Sequence, residues 1–355
     1  MVTFPRRGMH VSFFFALAVS LTVTFVDTAH ELMAVDPAGT AYGTLTDPND
    51  GGTSVWASTD NGRTWAPRGS HPSGYAFVRM TSLSDGVLLA DVISPDGNVL
   101  TRSADGGITW TDVLPMFPYR TLSPHSFDEL NGIVYFGEYQ DFQGGDTPIN
   151  LWMSADRGVT WNVVNTFHGH RHCHAVRADP ATKSLWMFFG DVETEAALVR
   201  STDGGVTWTT MQEGELTALS VDGAFTPQGL LYSLDVNPPD TSGILRLGPD
   251  GTVTKLVSIP GPSYSLHQLK SGAFLSGVTR ELNEFYAPDN VGAHLFGSLD
   301  GESWAEVAQY PRATDTDYSQ ADVYWELKSG EAVVHFYNVQ LMPNFTGYEL
   351  VQLGP

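Results

Sequence analysis

The sequence contains very little cysteine and little positive charge, and each shortage excludes a class of protein. Cys173 is the only cysteine among 355 residues, so an intrachain disulfide and a cysteine-based metal framework are both excluded. Lysine and arginine number 18 against 40 aspartate and glutamate residues, which gives a net charge of −22. Nucleic acid and anionic membrane surfaces attract proteins through basic patches, so we expect neither as a partner.

Long apolar runs are also scarce, since only the N-terminus has one. Two arginines precede an apolar run over residues 11–26, and residues 18–20 offer a small-residue cleavage site. This order is typical of a secretory signal at residues 1–20 and predicts a secreted or periplasmic protein without a membrane span in the mature chain. The competing interpretation is a β-strand, because residues 21–26 are β-branched and alternating, and a strand alone would fit a cytoplasmic protein. The two interpretations agree if cleavage falls near residue 20.

One short motif is abundant, with five copies in the chain. It reads Ser-x-Asp-x-Gly-x-Thr/Ser-Trp, and the last copy is one residue shorter. The copies occupy residues 58–65, 103–110, 154–161, 201–208 and 298–304. Their tryptophans are 45, 51, 47 and 96 residues apart, so the last spacing is close to twice the others. A repeat of this period predicts one supersecondary unit repeated around a ring or along a stack.

Each part of the motif suits a tight turn between two strands. Serine and aspartate bond to nearby backbone, glycine adopts angles that other residues resist, and tryptophan packs its ring on the next sheet. The motif resembles the Asp-box, or BNR repeat, of the sialidase-like β-propeller superfamily. That resemblance implies an all-β propeller of four-stranded blades, with each box between the third and fourth strands, on the face away from the active site. We therefore expect the residues of the motif to be structural and not catalytic.

The number of blades follows from the spacing of the motif. A degenerate copy at residues 248–252 fills the double gap and predicts an additional blade there. The tail holds three more strand-like runs, at residues 323–327, 332–339 and 348–353. Residues 21–26 could supply the missing fourth strand, which would close the ring and leave no sheet edge exposed. We therefore predict one seven-bladed propeller domain over residues 21–355, with a six-bladed propeller and an appended tail as the alternative.

In such a propeller, each first strand starts and each second strand ends on the same face, beside the central funnel. Polar residues at those positions should converge there, and ligand sites favour concave mouths of this kind. The candidates for catalysis are His172, His174, Glu138, Asp191 and Tyr139. The candidates for substrate binding are Arg120, Arg171, His125, Asp235, His267, Arg280 and Glu281.

Histidine occupies every second position from 168 to 174, which is the most unusual local feature of the sequence. Alternate residues of a strand share a face, so His172 and His174 should point the same way. Neutral imidazoles in that arrangement can bind a divalent transition metal, with Asp191 or Glu138 as a carboxylate partner. Either histidine could equally act as a general acid or base near neutral pH. A metal is therefore a candidate cofactor and not a requirement.

These candidates predict an exported carbohydrate-active enzyme with its site in the funnel and a glycan as ligand. Sialidases of the superfamily carry a Phe/Tyr-Arg-Ile-Pro motif near the first blade, and this sequence has none. A glycoside hydrolase could use paired carboxylates such as Glu138 and Asp191. A polysaccharide lyase could use Tyr139 or a histidine to remove a proton next to a uronate carboxylate, which an arginine or a metal would neutralise. The alternative is a non-catalytic propeller that binds glycans or serves as a protein scaffold.

Overall fold

The computed structural model describes residues 19–46, 50–140, 147–238, 240–281, 291–314, 318–339 and 347–354. Within these residues the chain forms seven four-stranded antiparallel sheets, and each sheet is one blade of a β-propeller. The prediction of seven blades is confirmed, and the six-bladed alternative is wrong.

Blades one to four follow one another along the chain. Blade one contains β2 (His30–Val35), β3 (Ala41–Leu45), β4 (Ser54–Ser58) and β5 (Ala66–Ser70). Blade two contains β6 (Ala76–Ser82), β7 (Leu88–Ser94), β8 (Gly97–Ser103) and β9 (Thr111–Pro115). Blade three contains β10 (Phe127–Leu130), β11 (Ile133–Gly137), β12 (Ile149–Ser154) and β13 (Asn162–Phe167). Blade four contains β14 (Cys173–Asp179), β15 (Ser184–Phe189), β16 (Ala197–Ser201) and β17 (Thr209–Glu213).

Blades five to seven complete the ring. Blade five contains β18 (Ser220–Thr226), β19 (Gly229–Leu234), β20 (Gly243–Leu247) and β21 (Val253–Ser258). Blade six contains β22 (Ser265–Gln268), β23 (Phe274–Val278), β24 (Val291–Ser298) and β25 (Trp304–Pro311). Blade seven contains β26 (Gln320–Glu326), β27 (Ala332–Tyr337), β28 (Gly347–Gly354) and the N-terminal β1 (Ser20–Asp27). Short 3-10 helices occur in the connections at Pro124–Ser126, Glu193–Glu195 and Leu216–Ala218.

The blades pack face to face, so their inner strands are apolar on both faces. All six residues of β15, for example, are buried. Between blades four and five, Phe188 and Leu198 of one sheet pack with Tyr232 and Leu245 of the next. The fourth strands are mostly exposed, as in β5. This packing leaves the first strand of each blade beside a central channel, where successive first strands are neighbours.

The repeated motif forms the turn between the third and fourth strands in blades one to four and in blade six. In blade four the hydroxyl of Ser201 accepts a hydrogen bond from the amide of Gly205 at 2.9 Å. The carboxylate of Asp203 accepts bonds from the amide and hydroxyl of Thr207 at 2.9 and 2.6 Å, and these bonds lower its pKa to about 2. The indole of Trp208 donates to the carbonyl of Gly205 at 2.8 Å. The polar side chains and the indole of the motif thus make their hydrogen bonds within the turn itself.

The ring is closed by pairing the two ends of the described chain in blade seven. β1 lies antiparallel to β28, with Val26 opposite Tyr348. Val26 is 4% exposed, whereas Val23 on the same strand is 37% exposed. The N-terminal run therefore supplies the missing strand, as the sequence predicts.

The predicted signal peptide, residues 1–20, lies outside the described residues except for its last two positions. Among the described residues, none of the helices is long and apolar enough to cross a membrane.

Candidate functional site

A cavity of 960 Å³ opens at one end of the central channel. All seven blades contribute to its wall, mainly near the starts of first strands and the ends of second strands, so it lies opposite the motif turns. Six of the twelve predicted site residues line this cavity: Arg120, Tyr139, His174, Asp191, Asp235 and Glu281. The geometry of the ring thus brings half of the candidates to one place.

Two histidines and a carboxylate meet at one side of the cavity, where His174 and Asp191 line the wall and His172 lies behind them. The Nε2 atoms of His172 and His174 lie 2.9 Å apart, and each is 2.9 Å from Oδ1 of Asp191. The two histidines are only 1% and 2% exposed. Their Nδ1 atoms lie 2.6 Å from the carbonyl oxygen of Gln140 and 2.9 Å from that of Ser220, respectively. Both rings therefore point the same way, with their backbone contacts on the side away from the carboxylate.

The local backbone positions these three side chains. β14 has a bulge around His174, and bulges re-aim side chains beside functional sites. Asp191 follows Gly190, whose φ of 94° lies in the left-handed region. A Cβ at Gly190 would lie 2.7 Å from the backbone of Ala196, so only glycine fits this turn. The turn fixes the direction in which Asp191 leaves the end of β15.

Burial and mutual contact change the ionisation of this group. Burial lowers the pKa of His172. For His174 burial acts in the same direction, but the hydrogen bond to Asp191 and the charge of Asp191 outweigh it and raise the pKa. Burial acts to raise the pKa of Asp191, but the close contacts with the two histidines outweigh burial and hold the pKa well below the usual range. Arg171 supports the same carboxylate, with Nη1 3.0 Å from Oδ2 of Asp191.

Acidic side chains of blades five and six face the same cavity. The hydroxyl of Tyr264 donates a hydrogen bond to Oε1 of Glu281, and Nδ2 of Asn237 donates to Oε2 at 2.5 Å. Burial raises the pKa of Asp235 to about 7, and the negative charges of Asp191 and Glu281 contribute to this rise. Asp235 can therefore hold a proton near neutral pH, while the carboxyl group of Glu281 is fixed by two donors.

Blade seven contributes Asp322, which the sequence analysis did not single out. Burial raises the pKa of Asp322 to about 7, although Gln320 donates a hydrogen bond to its Oδ2. Its Oδ1 has no hydrogen-bond partner within the described part of the chain. Asp322 lies near the start of the first strand of its blade, so the rule applied to the other blades could have found it. Tyr264, just before β22, could have been found in the same way.

The cavity wall is rich in acidic and aromatic residues and has few arginines. Its acidic residues are Glu31, Asp191, Asp235, Asp240, Glu281 and Asp322. Its arginines are Arg79 and Arg120. Its aromatic residues are Tyr139, Tyr264, Tyr318, Tyr324, Trp325, Phe336 and Tyr337. The wall therefore combines several carboxyl groups, of which Asp235 and Asp322 have pKa values raised to about 7, with flat apolar surfaces.

An exposed pair of tyrosine rings lies on the blade-seven side of the cavity. The rings of Tyr318 and Tyr337 stack with their centroids 4.7 Å apart, and the residues are 38% and 47% exposed. They lie 19 positions apart in the sequence, and no sequence signal pairs them. An exposed aromatic platform of this kind offers an apolar face together with polar hydroxyl groups.

Glu138, a predicted catalytic residue, is not among the residues that line the cavity. Its side chain is 3% exposed and accepts hydrogen bonds from the amide of Asn150 at 2.8 Å and the indole of Trp152 at 2.6 Å. Both partners belong to β12 of the same blade. The structure thus gives Glu138 contacts that tie neighbouring strands together, and these contacts weigh against a catalytic role.

Three further candidates lie behind the wall. His172 and Arg171 do not line the cavity, but both contact Asp191, which does. Arg171 is also bound to Glu195, with Nε 3.2 Å from Oε2. Arg280 is 5% exposed, and its backbone pairs with that of Ser319. These arginines thus have structural contacts, and their predicted role in substrate binding stays a prediction.

His125 and His267 belong to a separate, partly buried network in the channel. Nδ1 of His125 lies 2.8 Å from Oδ2 of Asp222, and the rings of His125 and His267 are 6.4 Å apart. Arg177 approaches the same carboxylate, with Nη1 3.2 Å from Oδ1 of Asp222. Burial lowers the pKa of His267 to about 3, so this ring is neutral at physiological pH. The network joins the connection before blade three to the first strands of blades four to six, and Nε of Arg177 has no hydrogen-bond partner within the described part of the chain.

No family model matches the sequence, so the sialidase-like family suggested by the motif is not confirmed. A xyloglucanase from Paenibacillus sp. is 27% identical over 259 residues, which are 61% of this chain and 24% of that protein. A xyloglucanase from Acetivibrio thermocellus is 26% identical over 166 residues, which are 39% of this chain and 19% of that protein. The chain is distantly similar to xyloglucanases. It spans about a quarter or less of the length of these relatives.

Solved structures share the fold. Virginiamycin B lyase from Staphylococcus aureus has a TM-score of 0.59 at 12% identity, over 95% of this chain and 99% of the lyase. YCF48 from Cyanidioschyzon merolae has a TM-score of 0.55 at 14% identity, over 94% of this chain and 98% of that chain. A further structure, YCF48 bound to a D1 peptide, has a TM-score of 0.54 at 13% identity, over 93% of this chain and 95% of that chain. These neighbours include an enzyme and a protein solved with a peptide, so the fold alone does not decide the function.

Proposed function

We propose that this propeller is a glycoside hydrolase that acts on a neutral glycan in the cavity opposite the motif turns. The observation that carries the proposal is the composition of the cavity wall, where six carboxyl groups face two arginines and seven aromatic residues. Sugar rings offer apolar C–H faces to aromatic surfaces and hydroxyl groups to carboxylates, so a wall of this kind suits an uncharged carbohydrate.

The excess of acidic groups argues against an anionic substrate. A sialoside or a uronate carries a carboxylate, which this wall would repel unless several cations converged on it. Among the described residues, Arg79 and Arg120 are the only arginines of the wall, and Arg171 is already bound to two carboxylates of its own blade. This balance favours a hydrolase of neutral glycans over a sialidase or a uronate lyase. The distant similarity to xyloglucanases points in the same direction.

Asp235 and Glu281 are the pair that best suits acid-assisted hydrolysis. Glycosidases use one carboxylic acid to protonate the leaving oxygen and a second carboxylate to activate water or attack the anomeric carbon. Asp235 has a pKa of about 7 and so supplies the proton. Glu281 accepts hydrogen bonds from Tyr264 and Asn237, which orient it as the second carboxylate. The exposed tyrosine platform would hold a neighbouring sugar unit.

The non-catalytic alternative is a propeller that binds a glycan or a protein without turnover. A structural neighbour solved with a peptide shows that the fold is compatible with such a role. The carboxyl group of Asp235, whose pKa burial raises to about 7, favours catalysis over binding alone, because perturbed pKa values cluster at catalytic sites.

Release of reducing ends from polysaccharides tests the proposal. The purified chain is incubated with xyloglucan, unsubstituted glucans, sialyllactose and polygalacturonate, and unsaturated products are recorded by absorbance. We expect reducing ends from a neutral glucan only, with activity falling above about pH 7 because Asp235 must be protonated. Asp235→Asn and Glu281→Gln should each lower kcat at least about 100-fold with glycan affinity retained. Glu213→Gln, on the exposed fourth strand of blade four, is the control and should match the unchanged protein.

Two results would contradict the proposal in different ways. Turnover of the sialoside or the uronate would show that the argument from charge is wrong. Glycan binding without turnover, equal in Asp235→Asn and the unchanged protein, would support the non-catalytic alternative.

A further inference from the structure

The contact between the two histidines and Asp191 has an unusual balance of hydrogen-bond donors and acceptors. Each Nδ1 lies against a backbone carbonyl, at 2.6 Å for His172 and 2.9 Å for His174. A carbonyl oxygen only accepts, so each Nδ1 must carry a proton and donate it. A neutral ring with its proton on Nδ1 has a lone pair on Nε2. In neutral rings the Nε2 atoms of His172 and His174 therefore direct their lone pairs toward each other.

Three lone-pair atoms then converge with no donor among them in the neutral rings. The two Nε2 atoms lie 2.9 Å apart, and each lies 2.9 Å from the carboxylate oxygen Oδ1 of Asp191. Lone pairs at this separation repel one another, and burial increases the cost because water is excluded. A cation between the three atoms removes the repulsion. The candidates are a proton on one ring or a metal ion bound by all three atoms.

We propose that His172, His174 and Asp191 form a binding site for a divalent first-row transition metal of the zinc type. Two imidazole nitrogens and one carboxylate oxygen suit such metals, whereas calcium and magnesium prefer oxygen ligands alone. The three donor atoms lie within 4.8 Å of one another, which is the span of atoms that share one ion. The inference does not rest on the proposed hydrolase activity.

The surroundings of the three side chains match those of known metal ligands. Histidines that bind a metal usually donate their other ring N–H to a backbone carbonyl, which fixes the tautomer and the direction of the ring. Gln140 and Ser220 supply these carbonyls here. The second oxygen of Asp191 is held by Arg171 at 3.0 Å, so the first oxygen is left for the ion.

The site also has an opening through which a ligand can arrive. His174 and Asp191 line the cavity, whereas His172 is covered by the ring of Tyr139, with centroids 4.2 Å apart. Three protein ligands leave at least one coordination position free, and that position faces the cavity. A water molecule or a hydroxyl group of a bound molecule could occupy it. The arrangement is therefore that of an accessible metal site and not of a closed structural one.

Metal binding by the full chain tests this inference without any activity assay. The protein is stripped with a chelator, dialysed against Zn²⁺ and analysed for metal, and its thermal unfolding is followed with added Zn²⁺, Co²⁺, Mg²⁺ or Ca²⁺. We expect one Zn²⁺ per chain, a rise in Tm with Zn²⁺ and Co²⁺ only, and a visible Co²⁺ spectrum typical of a site with four or five ligands. His174→Gln, His172→Gln and Asp191→Asn should each weaken Zn²⁺ binding at least about 100-fold.

His335→Gln is the matched control, because His335 lines the same cavity but lies outside the group of three. This variant should bind Zn²⁺ as the unchanged protein does. If a variant of one of the three proposed ligands does not fold, the metal content and the Tm response of the unchanged protein still test the proposal. The proposal is overturned if the unchanged protein retains no Zn²⁺ and its Tm does not respond. It is also overturned if Mg²⁺ or Ca²⁺ competes equally, or if His335→Gln loses as much affinity as His174→Gln.

Discussion

The raised pKa of Asp322 has a measurable consequence for the stability of the folded chain. A carboxyl group whose pKa is higher in the folded state than in the unfolded chain binds more protons when folded. Stability therefore falls as the pH rises through the interval between the two values. For Asp322 that interval runs from the ordinary value of 3.8 to about 7. Above pH 7 the full cost of the buried charge is present.

The size of the effect follows from the shift. A rise of about 3 pKa units corresponds to about 4 kcal/mol, at 1.36 kcal/mol per unit. Water that enters the cavity reduces this value, so we expect about 2–4 kcal/mol. The substitution Asp322→Asn removes the ionisation and keeps the shape of the side chain. The stability of the variant relative to the unchanged protein should therefore increase by that amount between pH 4 and pH 8.5.

Urea unfolding of both proteins at the two pH values, followed by tryptophan fluorescence, gives the difference in their free energies of unfolding at each pH. The change in that difference between pH 4 and pH 8.5 is the predicted quantity. Changes in packing caused by the substitution are present at both pH values and cancel. Asp240→Asn is the control, because Asp240 lines the same cavity but is exposed to water. A change below about 1 kcal/mol for Asp322→Asn would refute the reasoning, because it would mean that water solvates the carboxylate in the folded state.

Two pairs of substitutions and one chemical modification test other parts of the fold. Gly62→Ala should lower the free energy of unfolding by about 1–3 kcal/mol more than Gly74→Ala. Both glycines have positive φ, but only the Cβ at Gly62 would overlap a tyrosine of blade seven. Equal losses in thermal unfolding would contradict this expectation. Val26→Ala should lower the free energy of unfolding by about 2 kcal/mol and Val23→Ala by less than about 0.5 kcal/mol, because only Val26 is buried. Equal losses of stability would argue against closure of the ring through β1. Cys173 is 1% exposed, and burial raises the pKa of its thiol. A thiol reagent should therefore label Cys173 in urea but not in the folded chain. Rapid labelling of the folded chain would disprove the burial of Cys173.

Much of the ring could be predicted from the sequence, because the motif marks a fixed point in each blade. Every copy lies in a turn between third and fourth strands, so the strands on either side could be placed by counting. The pairing of β1 with β28 could be inferred because three strands in the tail lacked a fourth. Strand alternation predicted that His172 and His174 point the same way; their Nε2 atoms do meet, but His172 precedes β14 and a bulge at His174 interrupts the regular alternation.

The environment of each candidate could not be predicted in the same way, because it depends on side chains that arrive from other strands. Glu138 and Asp191 both follow a second strand, in blades three and four, and look equivalent in the sequence. In blade three the indole of Trp152 reaches Glu138 from the next strand and occupies its carboxylate. In blade four His174 of the first strand and His172, which immediately precedes that strand, reach Asp191. Both carboxylates are bound by side chains of their own blade, and only the packed structure shows that Asp191 lines the cavity whereas Glu138 does not.

The net charge of −22 and the acidic cavity have different origins, and this distinction limits what composition can say about a substrate. Five aspartates belong to the motif turns, at Asp60, Asp105, Asp156, Asp203 and Asp300, and turn hydrogen bonds hold their pKa values low. These charges lie at the opposite ends of the blades from the cavity, where screening by salt weakens their influence on a bound molecule. The cavity carboxyl groups are fewer but partly buried, so their fields are less screened. Preference for a neutral glycan would therefore be a property of those few groups and would persist if the charges of the motif face were neutralised.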